Sequence, residues 1–188
     1  SGLGILAMLA EIFKFKKLLF PMVLLGIVAA YAFNFMEWKT GMSIPYFDNM
    51  IGFDKLGIAF SGIIIATAFF WFILANDYFE EETNLVDHFA LVLFALVGAL
   101  MLTSFKNMTT LFLGVEIMSI PLYVLAASKK KDIKSNEAGF KYLIMGSFAS
   151  GFLLFGIALI YGATGSFDLM QIRSFISEHA ADMPLFFY

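Results

Sequence analysis

The sequence predicts an all-α membrane protein, a polytopic bundle of apolar helices. Of its 188 residues, 61% are hydrophobic and 14% are charged, and the mean hydropathy is +0.86. Soluble domains carry about 25% charged residues. The apolar residues are collected in runs that approach or reach the length needed to cross a bilayer, about 17 to 25 residues. Short polar loops separate these runs, which indicates a chain that crosses the membrane repeatedly.

We interpret the chain as one transmembrane domain, 1–188, truncated at both ends. The segment 2–13 is shorter than the roughly 17 residues that span a bilayer, so it is interpreted as a cut helix. A signal peptide is disfavoured because no basic region precedes it. Near the other end, Met183 starts a new apolar run that stops at Tyr188. The predicted membrane helices are 2–13, 18–36, 56–75, 89–105, 108–127 and 137–163.

A seventh segment, 166–180, is predicted to lie on the membrane surface. Leu169, Ile172 and Ile176 recur at helical spacing among polar residues, which is typical of an interfacial helix. The Lys and Arg residues predict the orientation, because cytoplasmic loops carry an excess of them. The first, third and fifth loops are predicted to be cytoplasmic and hold Lys14, Lys16, Lys17, Lys129, Lys130, Lys131 and Lys134. The other loops hold Lys39, Lys55, Lys106 and Arg173.

Several classes of function are excluded by composition. The chain has no cysteine, which excludes disulfides and thiolate-bound iron–sulfur clusters within it. His88 and His179 are far apart and form no metal-ligand pattern. No nucleotide fingerprint and no basic stripe for nucleic acid is present. We therefore expect no metal, no cofactor and no nucleic acid to bind this chain.

Glu116 is the strongest candidate for a functional residue. It is the single charged residue in the apolar run 108–127. A carboxylate at such a depth costs about 2.5–3.5 kcal/mol on insertion scales, and such residues usually serve proton or ion movement. Pro121 follows five residues later and frees the carbonyl of Ile117, which can loosen the helix beside Glu116. A structural carboxylate bonded to a neighbouring helix is the alternative.

The sequence alone leaves two interpretations of Lys141 and Glu137 open. Their four-residue spacing suits an ordinary helix-stabilising ion pair. Alternatively, Lys141 points inward and exchanges protons with Glu116. Ser135 or Asn136 is expected to cap this helix. Small residues also recur at four-residue spacing, and we expect these pairs to serve plain helix packing: Gly146 with Ser150, and Ser147 with Gly151.

The run from Leu113 to Leu169 resembles a known family. It contains LGVEIMSIPLYVLAA, a basic loop, and then SNEAGFKYLIMGSFASGFLLFGIALIYGATGSFDL. The combination of E-x4-P-L-Y, E-A-x-x-K-Y and Y-G-A-T-G-S is similar to subunit N of bacterial NADH:quinone oxidoreductase, respiratory complex I. This family has about fourteen membrane helices with two inverted repeats. The resemblance implies a partial antiporter-like fold, in which the chain holds the first six helices and the start of the seventh.

The resemblance also implies roles for single residues. Glu116 corresponds to the glutamate of the family's proton channel, which pairs with a lysine of the seventh helix. That lysine is expected beyond Tyr188. Lys141 matches a lysine of the family's sixth helix, which favours its functional reading, and Pro121 and Glu137 are expected to support the two. Proton transfer is therefore expected to pass through Glu116 and Lys141.

The implied function is proton translocation driven by quinone reduction elsewhere in the complex. NADH, FMN, iron–sulfur clusters and quinone are expected on other subunits. The expected partners are the other membrane subunits of complex I and the lipid bilayer, and the expected location is the bacterial inner membrane. Two alternatives stay open: a subunit of a multisubunit cation/proton antiporter or membrane-bound hydrogenase, and a structural or assembly protein without a transport path.

Overall fold

The structure is a computed structural model that describes residues 16–40, 47, 50–79, 85–129 and 131–179. The predicted segment 2–13 and the apolar run from Met183 lie outside these residues. Within the described ranges the chain forms helices joined by loops, without named strands, so the predicted all-α class is confirmed. The helices are α1 (Lys16–Thr40), α2 (Lys55–Phe79), α3 (Leu85–Leu102), α4 (Met108–Ala126), α5 (Ile133–Thr164) and α6 (Leu169–His179).

Among the described residues, four helices are long and apolar enough to cross a membrane: α1 from Phe20 onward, α2 as far as Ala75, α4 and α5. The apolar part of α3, Asp87–Leu102, is slightly shorter. α5 has 32 residues, which corresponds to about 48 Å and exceeds the roughly 30 Å of a bilayer core. The chain is therefore a multi-pass membrane protein, and α5 extends beyond the hydrocarbon region.

α5 begins at Ile133, four residues before the predicted start at 137. The reason is its cap, because the side chain of Asp132 accepts a hydrogen bond of 2.9 Å from the Lys134 amide. Ser135, an expected cap, instead donates from Oγ to the carbonyl of Ala126 at 2.8 Å. At the other end Gly165 adopts φ 69°, and its amide donates to the Tyr161 carbonyl at 2.7 Å. This left-handed residue is a common helix terminator.

The remaining bounds differ from the predicted ones by a few residues. α1 and α2 each end four residues later than predicted, at Thr40 and Phe79. α3 starts at Leu85, four residues before the predicted position, and ends at Leu102. α6 covers Leu169–His179, within the predicted 166–180. The extensions follow from residues that continue a helix past the apolar run, which hydropathy does not detect, whereas α3 ends three residues before its predicted end.

The helices α1 to α5 pack in chain order, each against the next. α1, α2 and α3 share a core of buried apolar side chains in which Phe72 and Phe89 are fully buried, with ring centroids 5.1 Å apart. α3 lies directly on α4, because a Cβ at Gly98 would stand 2.4 Å from the backbone nitrogen of Met118. α5 packs on α4, and most of its remaining surface is exposed.

Three loops are joined by backbone hydrogen bonds at the end of the bundle where α4 begins. The Gly52 amide donates to the Ser104 carbonyl at 2.8 Å, and the Met108 amide donates to the Phe167 carbonyl at 2.9 Å. A salt bridge of 3.1 Å joins Lys106 to Asp54. We call this group of loops, residues 50–54, 103–108 and 166–169, the loop clasp. The opposite end, where α4 ends and α5 begins, holds residues 128, 129 and 131–136 and is called the lysine-rich end.

Candidate functional site

Glu116 lies on the seam between α4 and α5. It is the ninth of the 19 residues of α4, and its side chain is half-buried. Ser150 of α5 donates a hydrogen bond from Oγ to Glu116 Oε1, at 2.5 Å. The carboxylate therefore has a hydroxyl partner on the neighbouring helix near the middle of the membrane.

Close backbone approaches hold α4 on both sides of Glu116. On the α3 side, a Cβ at Gly98 would also stand 2.8 Å from the Gly114 carbonyl oxygen, two residues from Glu116. On the α5 side, a Cβ at Gly139 would stand 2.4 Å from the Cβ of Ala127. Such contacts let membrane helices approach closely. They leave α4 little freedom to slide, so Glu116 keeps its level relative to Ser150.

Tyr123 is the next polar side chain along the same seam. It is buried, and its ring lies edge-on against Tyr142 with centroids 4.9 Å apart. Its hydroxyl contacts Gly146, where a Cβ would stand 2.0 Å from the hydroxyl oxygen. Gly146 lies one helical turn before Ser150 on the same face of α5. The glycine therefore leaves the space that the tyrosine hydroxyl occupies.

Lys141 and Glu137 form an ion pair with each other. Both side chains are exposed, 67% for Lys141 and 55% for Glu137. Within the described part of the chain, no contact joins Lys141 to Glu116. The structure shows the helix-stabilising ion pair, which is one of the two interpretations that the sequence leaves open. No contact between described residues turns Lys141 inward, toward Glu116.

Pro121 is buried inside α4, and the helix stays continuous through it from Met108 to Ala126. The predicted loosening of α4 near Glu116 therefore does not appear as a break in the helix.

Ser150 was not among the predicted site residues. In the sequence, Ser150 stands out only as the partner of Gly146 in a small-residue pair, and such pairs are predicted to serve plain helix packing. The structure separates the two small-residue pairs by direction. Gly146 and Ser150 face α4, whereas a Cβ at Gly151 would meet no atom within 4 Å.

A cleft of about 590 Å³ opens at the lysine-rich end, between the start of α3, the end of α4 and the start of α5. Its walls are mostly apolar and include Phe94 and Leu143, and its polar lining comes from Asp87, His88, Tyr123 and Ser128. His88, which the sequence places near the start of a helix, is buried in the first turn of α3. Tyr123 thus borders the cleft as well as the seam.

Acidic and histidine side chains do not gather into a metal site. Among the described residues, no group of three or more His, Asp or Glu side chains could hold a metal ion. The chemistry that the seam supports is proton exchange between a carboxylate, hydroxyl groups and water.

Comparisons with known proteins point to one class. The family described as "NADH:quinone oxidoreductase/Mrp antiporter, TM" matches residues 106–187. Respiratory complex I from Thermus thermophilus contains a chain with a TM-score of 0.71 and 27% identity, over 89% of this chain and 36% of that one. An archaeal membrane-bound sulfane sulfur reductase shares the fold, with a TM-score of 0.75 at 24% identity, over 91% of this chain and 38% of that one. The chain therefore has the fold of the antiporter-like membrane subunits.

Sequence relatives narrow the class to one subunit. NADH-quinone oxidoreductase subunit N of Flavobacterium psychrophilum is 46% identical over 100% of this chain and 41% of the relative. The subunit of the same name from Cytophaga hutchinsonii is 48% identical over 100% of this chain and 40% of the relative. The chain is thus homologous along its whole length to NADH-quinone oxidoreductase subunit N, of which it spans less than half. The resemblance predicted from the sequence is confirmed.

Proposed function

We propose that this chain forms part of a proton-translocating membrane subunit of an NADH:quinone oxidoreductase, with Glu116 as a proton-carrying group. The observation that carries the proposal is the position of Glu116. A carboxylate near the middle of a membrane helix is costly, and here it faces a hydroxyl on the next helix instead of lipid. The homology to subunit N supports the same conclusion.

The carboxylate works by holding and releasing one proton. Ser150 donates a hydrogen bond to it, and a hydroxyl can also turn to accept one from the protonated acid. A change in the charge or position of a neighbouring group changes how tightly a carboxylate holds its proton. Quinone reduction elsewhere in the complex would produce that change, so the coupling is electrostatic and conformational.

Lys141 is proposed as a second proton-carrying group, with Glu137 holding its side chain. The ion pair lies near the start of α5, toward the lysine-rich end. No contact between described residues joins Lys141 to Glu116. Proton exchange between these two side chains therefore requires a further group between them. Pro121 supports the site as a buried residue one turn and a half beyond Glu116.

The proposed setting is the bacterial inner membrane, in a complex with other membrane subunits. The redox groups, namely NADH, FMN, iron–sulfur clusters and quinone, would be bound by those other subunits. This chain is proposed to bind no cofactor, because it has no cysteine and no nucleotide fingerprint. The proposed enzyme role is therefore that of a non-redox subunit.

A structural role for Glu116 is the second candidate, and the hydrogen bond from Ser150 is the observation that favours it. Glu116→Gln in the full-length subunit separates the two. A glutamine oxygen can still accept the bond from Ser150, whereas the amide does not hold a transferable proton at neutral pH. Proton translocation requires the variant to assemble and to lose pumping, whereas a structural role requires it to assemble and to pump normally.

The measurement is proton uptake by membrane vesicles during NADH oxidation, normalised to the amount of assembled complex. Glu178→Gln is the matched control, because it makes the same chemical change at an exposed position on α6. We expect the control to pump like the unmodified protein. Wild-type pumping by Glu116→Gln at unchanged electron flux would sink the proposal. Copurification with NADH dehydrogenase activity separates complex I from the multisubunit antiporters and the hydrogenases.

A further inference from the structure

We infer that the Tyr123 hydroxyl is a proton relay between Glu116 and the cleft at the lysine-rich end. This inference rests on the proposed function of Glu116 and adds the route by which protons reach it. Three observations carry it: the position of the hydroxyl against Gly146, its lack of a hydrogen-bond partner among the described residues, and the cleft that Tyr123 borders.

The first step is the distance from Tyr123 to the Glu116–Ser150 pair. Long side chains on a helix lean toward its N-terminus, so the ring of Tyr123 leans toward the level of Glu116. Its hydroxyl contacts Gly146, and Ser150 lies four residues further along α5. Residues at this spacing stand about 5–6 Å apart on a helix surface. One water molecule bridges two hydroxyl groups over such a gap.

The second step concerns the freedom of the hydroxyl. Across the described ranges, Tyr123 forms no hydrogen bond through its hydroxyl, and no fully buried side-chain polar atom there lacks a partner. Although the residue as a whole is 8% exposed, the hydroxyl oxygen therefore keeps some contact with space outside the protein atoms. A hydroxyl with one lone pair and one proton available can both accept and donate.

The third step is the connection to the membrane surface. The cleft of about 590 Å³ is bordered by Tyr123 and, at the same end of the bundle, by Asp87, His88 and Ser128. These polar groups suit water, which needs two to four polar partners to be held. Water in the cleft thus reaches one side of Tyr123, while the Glu116–Ser150 pair lies on the other.

The transfer is balanced at each atom. A hydronium ion in the cleft gives a proton to the Tyr123 oxygen and becomes water, and the Tyr123 hydroxyl gives its own proton to the water beside Ser150. That water passes a proton to the Glu116 carboxylate. One O–H bond forms and one breaks at the tyrosine oxygen, so the phenol is neutral before and after, and no oxidant or reductant is needed. Reorientation of the hydroxyl then restores the starting state.

Packing of the ring is the alternative explanation for Gly146, and one substitution separates it from the relay. Tyr123→Phe removes the hydroxyl and keeps the ring that contacts Tyr142. Tyr142→Phe is the matched control, since it removes a hydroxyl from the other ring of the same pair, whose residue is 45% exposed. Both variants are made in the full-length subunit of the assembled complex.

We measure proton uptake by vesicles during NADH oxidation, in H₂O and in D₂O, normalised to NADH oxidation with a soluble electron acceptor. We expect Tyr123→Phe to lower proton uptake about threefold to tenfold, because water replaces the hydroxyl only in part. We also expect its H₂O/D₂O rate ratio to rise above that of the wild type. Tyr142→Phe should match the wild type in both.

Three results overturn the relay: wild-type uptake by Tyr123→Phe, a loss without a change in the isotope ratio, or an equal loss in Tyr142→Phe. Glu116→Gln in the same experiment keeps this test distinct from that of the proposed function. If Glu116→Gln fails to pump while Tyr123→Phe pumps normally, the relay alone is wrong. If Glu116→Gln pumps normally, the proposed function is wrong.

Discussion

The core shared by α1, α2 and α3 and the seam between α4 and α5 treat polar side chains in opposite ways. Beside the core, the hydroxyl oxygens of Ser61 and Thr103 lie 2.6 Å apart, and each also lies within hydrogen-bond distance of a nearby backbone carbonyl, that of Gly57 or that of Leu100. Aromatic rings fill the rest, with Phe72 and Phe89 fully buried. Along the seam lie Glu116 and Tyr123, the two residues proposed to carry protons, and the carboxylate of Glu116 accepts a hydrogen bond from Ser150. Polar groups whose hydrogen-bond donors and acceptors are all paired within the protein rigidify a bundle, whereas groups with an unpaired donor or acceptor can react.

From this comparison we expect one region of the described chain to determine stability and the other to determine proton pumping. The core of α1–α3 holds α3 in place, and α3 in turn holds α4 through the close approach at Gly98. Variants in the core should therefore change stability and leave pumping per assembled complex intact. Variants on the seam should do the reverse. The predictions below test this separation from the largest expected effect to the smallest.

Removal of a core ring should have the largest effect on stability. Phe72→Ala leaves a cavity among α1, α2 and α3, and we expect it to lower the free energy of unfolding by about 2–4 kcal/mol. The value lies at the low end for such changes because lipid, unlike water, solvates an exposed ring. Thermal unfolding in detergent measures the loss. Phe70→Ala, at a neighbouring position that is 64% exposed, is the control. Equal losses in both variants would contradict the core assignment.

The close approach of α3 to α4 gives the next prediction. Gly98→Val places a side chain where α4 has backbone atoms 2.4 and 2.8 Å away, and overpacking of this kind costs about 1–3 kcal/mol. We expect less assembled complex in the membrane and a lower unfolding temperature. Gly151→Val is the matched control, because no atom lies within 4 Å of its Cβ position. A normal amount of complex with Gly98→Val would show that α3 and α4 can separate without loss.

Loss of the hydroxyl on the seam should affect pumping more than stability. Ser150→Ala removes the hydrogen bond to the Glu116 carboxylate, and we expect proton uptake to fall by about threefold to tenfold. Ser147→Ala, an exposed position on the same helix, should pump like the wild type. In the double variant with Glu116→Gln, no further loss is expected, because the two residues act as a unit. Additive losses would mean that Ser150 acts independently of Glu116.

The exposed ion pair of α5 should contribute little to stability. Lys141→Gln breaks its contact with Glu137, and an i,i+4 pair of this kind contributes about 0.3–0.5 kcal/mol. We therefore expect an unfolding temperature close to that of the wild type. Any large fall in proton uptake by this variant then reports proton transfer rather than folding. Unchanged uptake would leave the pair with a helix-stabilising role alone.

The smallest expected effect is a pH dependence at the loop clasp. The pKa of Asp54 lies below its usual 3.8, chiefly because its carboxylate accepts a hydrogen bond from the Gly57 amide. Burial opposes this effect, and the hydrogen bond and charge of Lys106 lower the pKa further. A group whose pKa is lower in the folded state stabilises the fold above its unfolded pKa, and this contribution is lost as the pH falls through its folded pKa. The clasp should therefore weaken only below about pH 4.

Asp54→Asn provides the control for this pH dependence. Asparagine caps a helix about as well as aspartate, so the bond to Gly57 can persist without the titration. Amide hydrogen exchange near the start of α2, measured across acidic pH, should show a smaller change in the variant than in the wild type. Identical pH profiles would assign the change to another group.

Much of the fold was accessible from sequence because hydropathy is a local property. Apolar runs of spanning length predicted the helices from α1 to α5, and the spacing of Leu169, Ile172 and Ile176 predicted α6. The starts of α3 and α5 were placed too late. Both helices begin among polar residues, where a cap such as Asp132 starts the helix before the apolar run does.

The sequence by itself determined that a single carboxylate, Glu116, lies in the middle of a membrane helix, because the cost of such a residue depends only on its own segment. The tertiary structure decided which groups face it. Rotation of α5 about its axis brings Gly146 and Ser150 to α4 and turns Lys141 outward, and that rotation depends on the fit of Tyr123 and Ala127 against glycines of α5. Contacts of this kind join residues far apart in the chain, so no local pattern could reveal them.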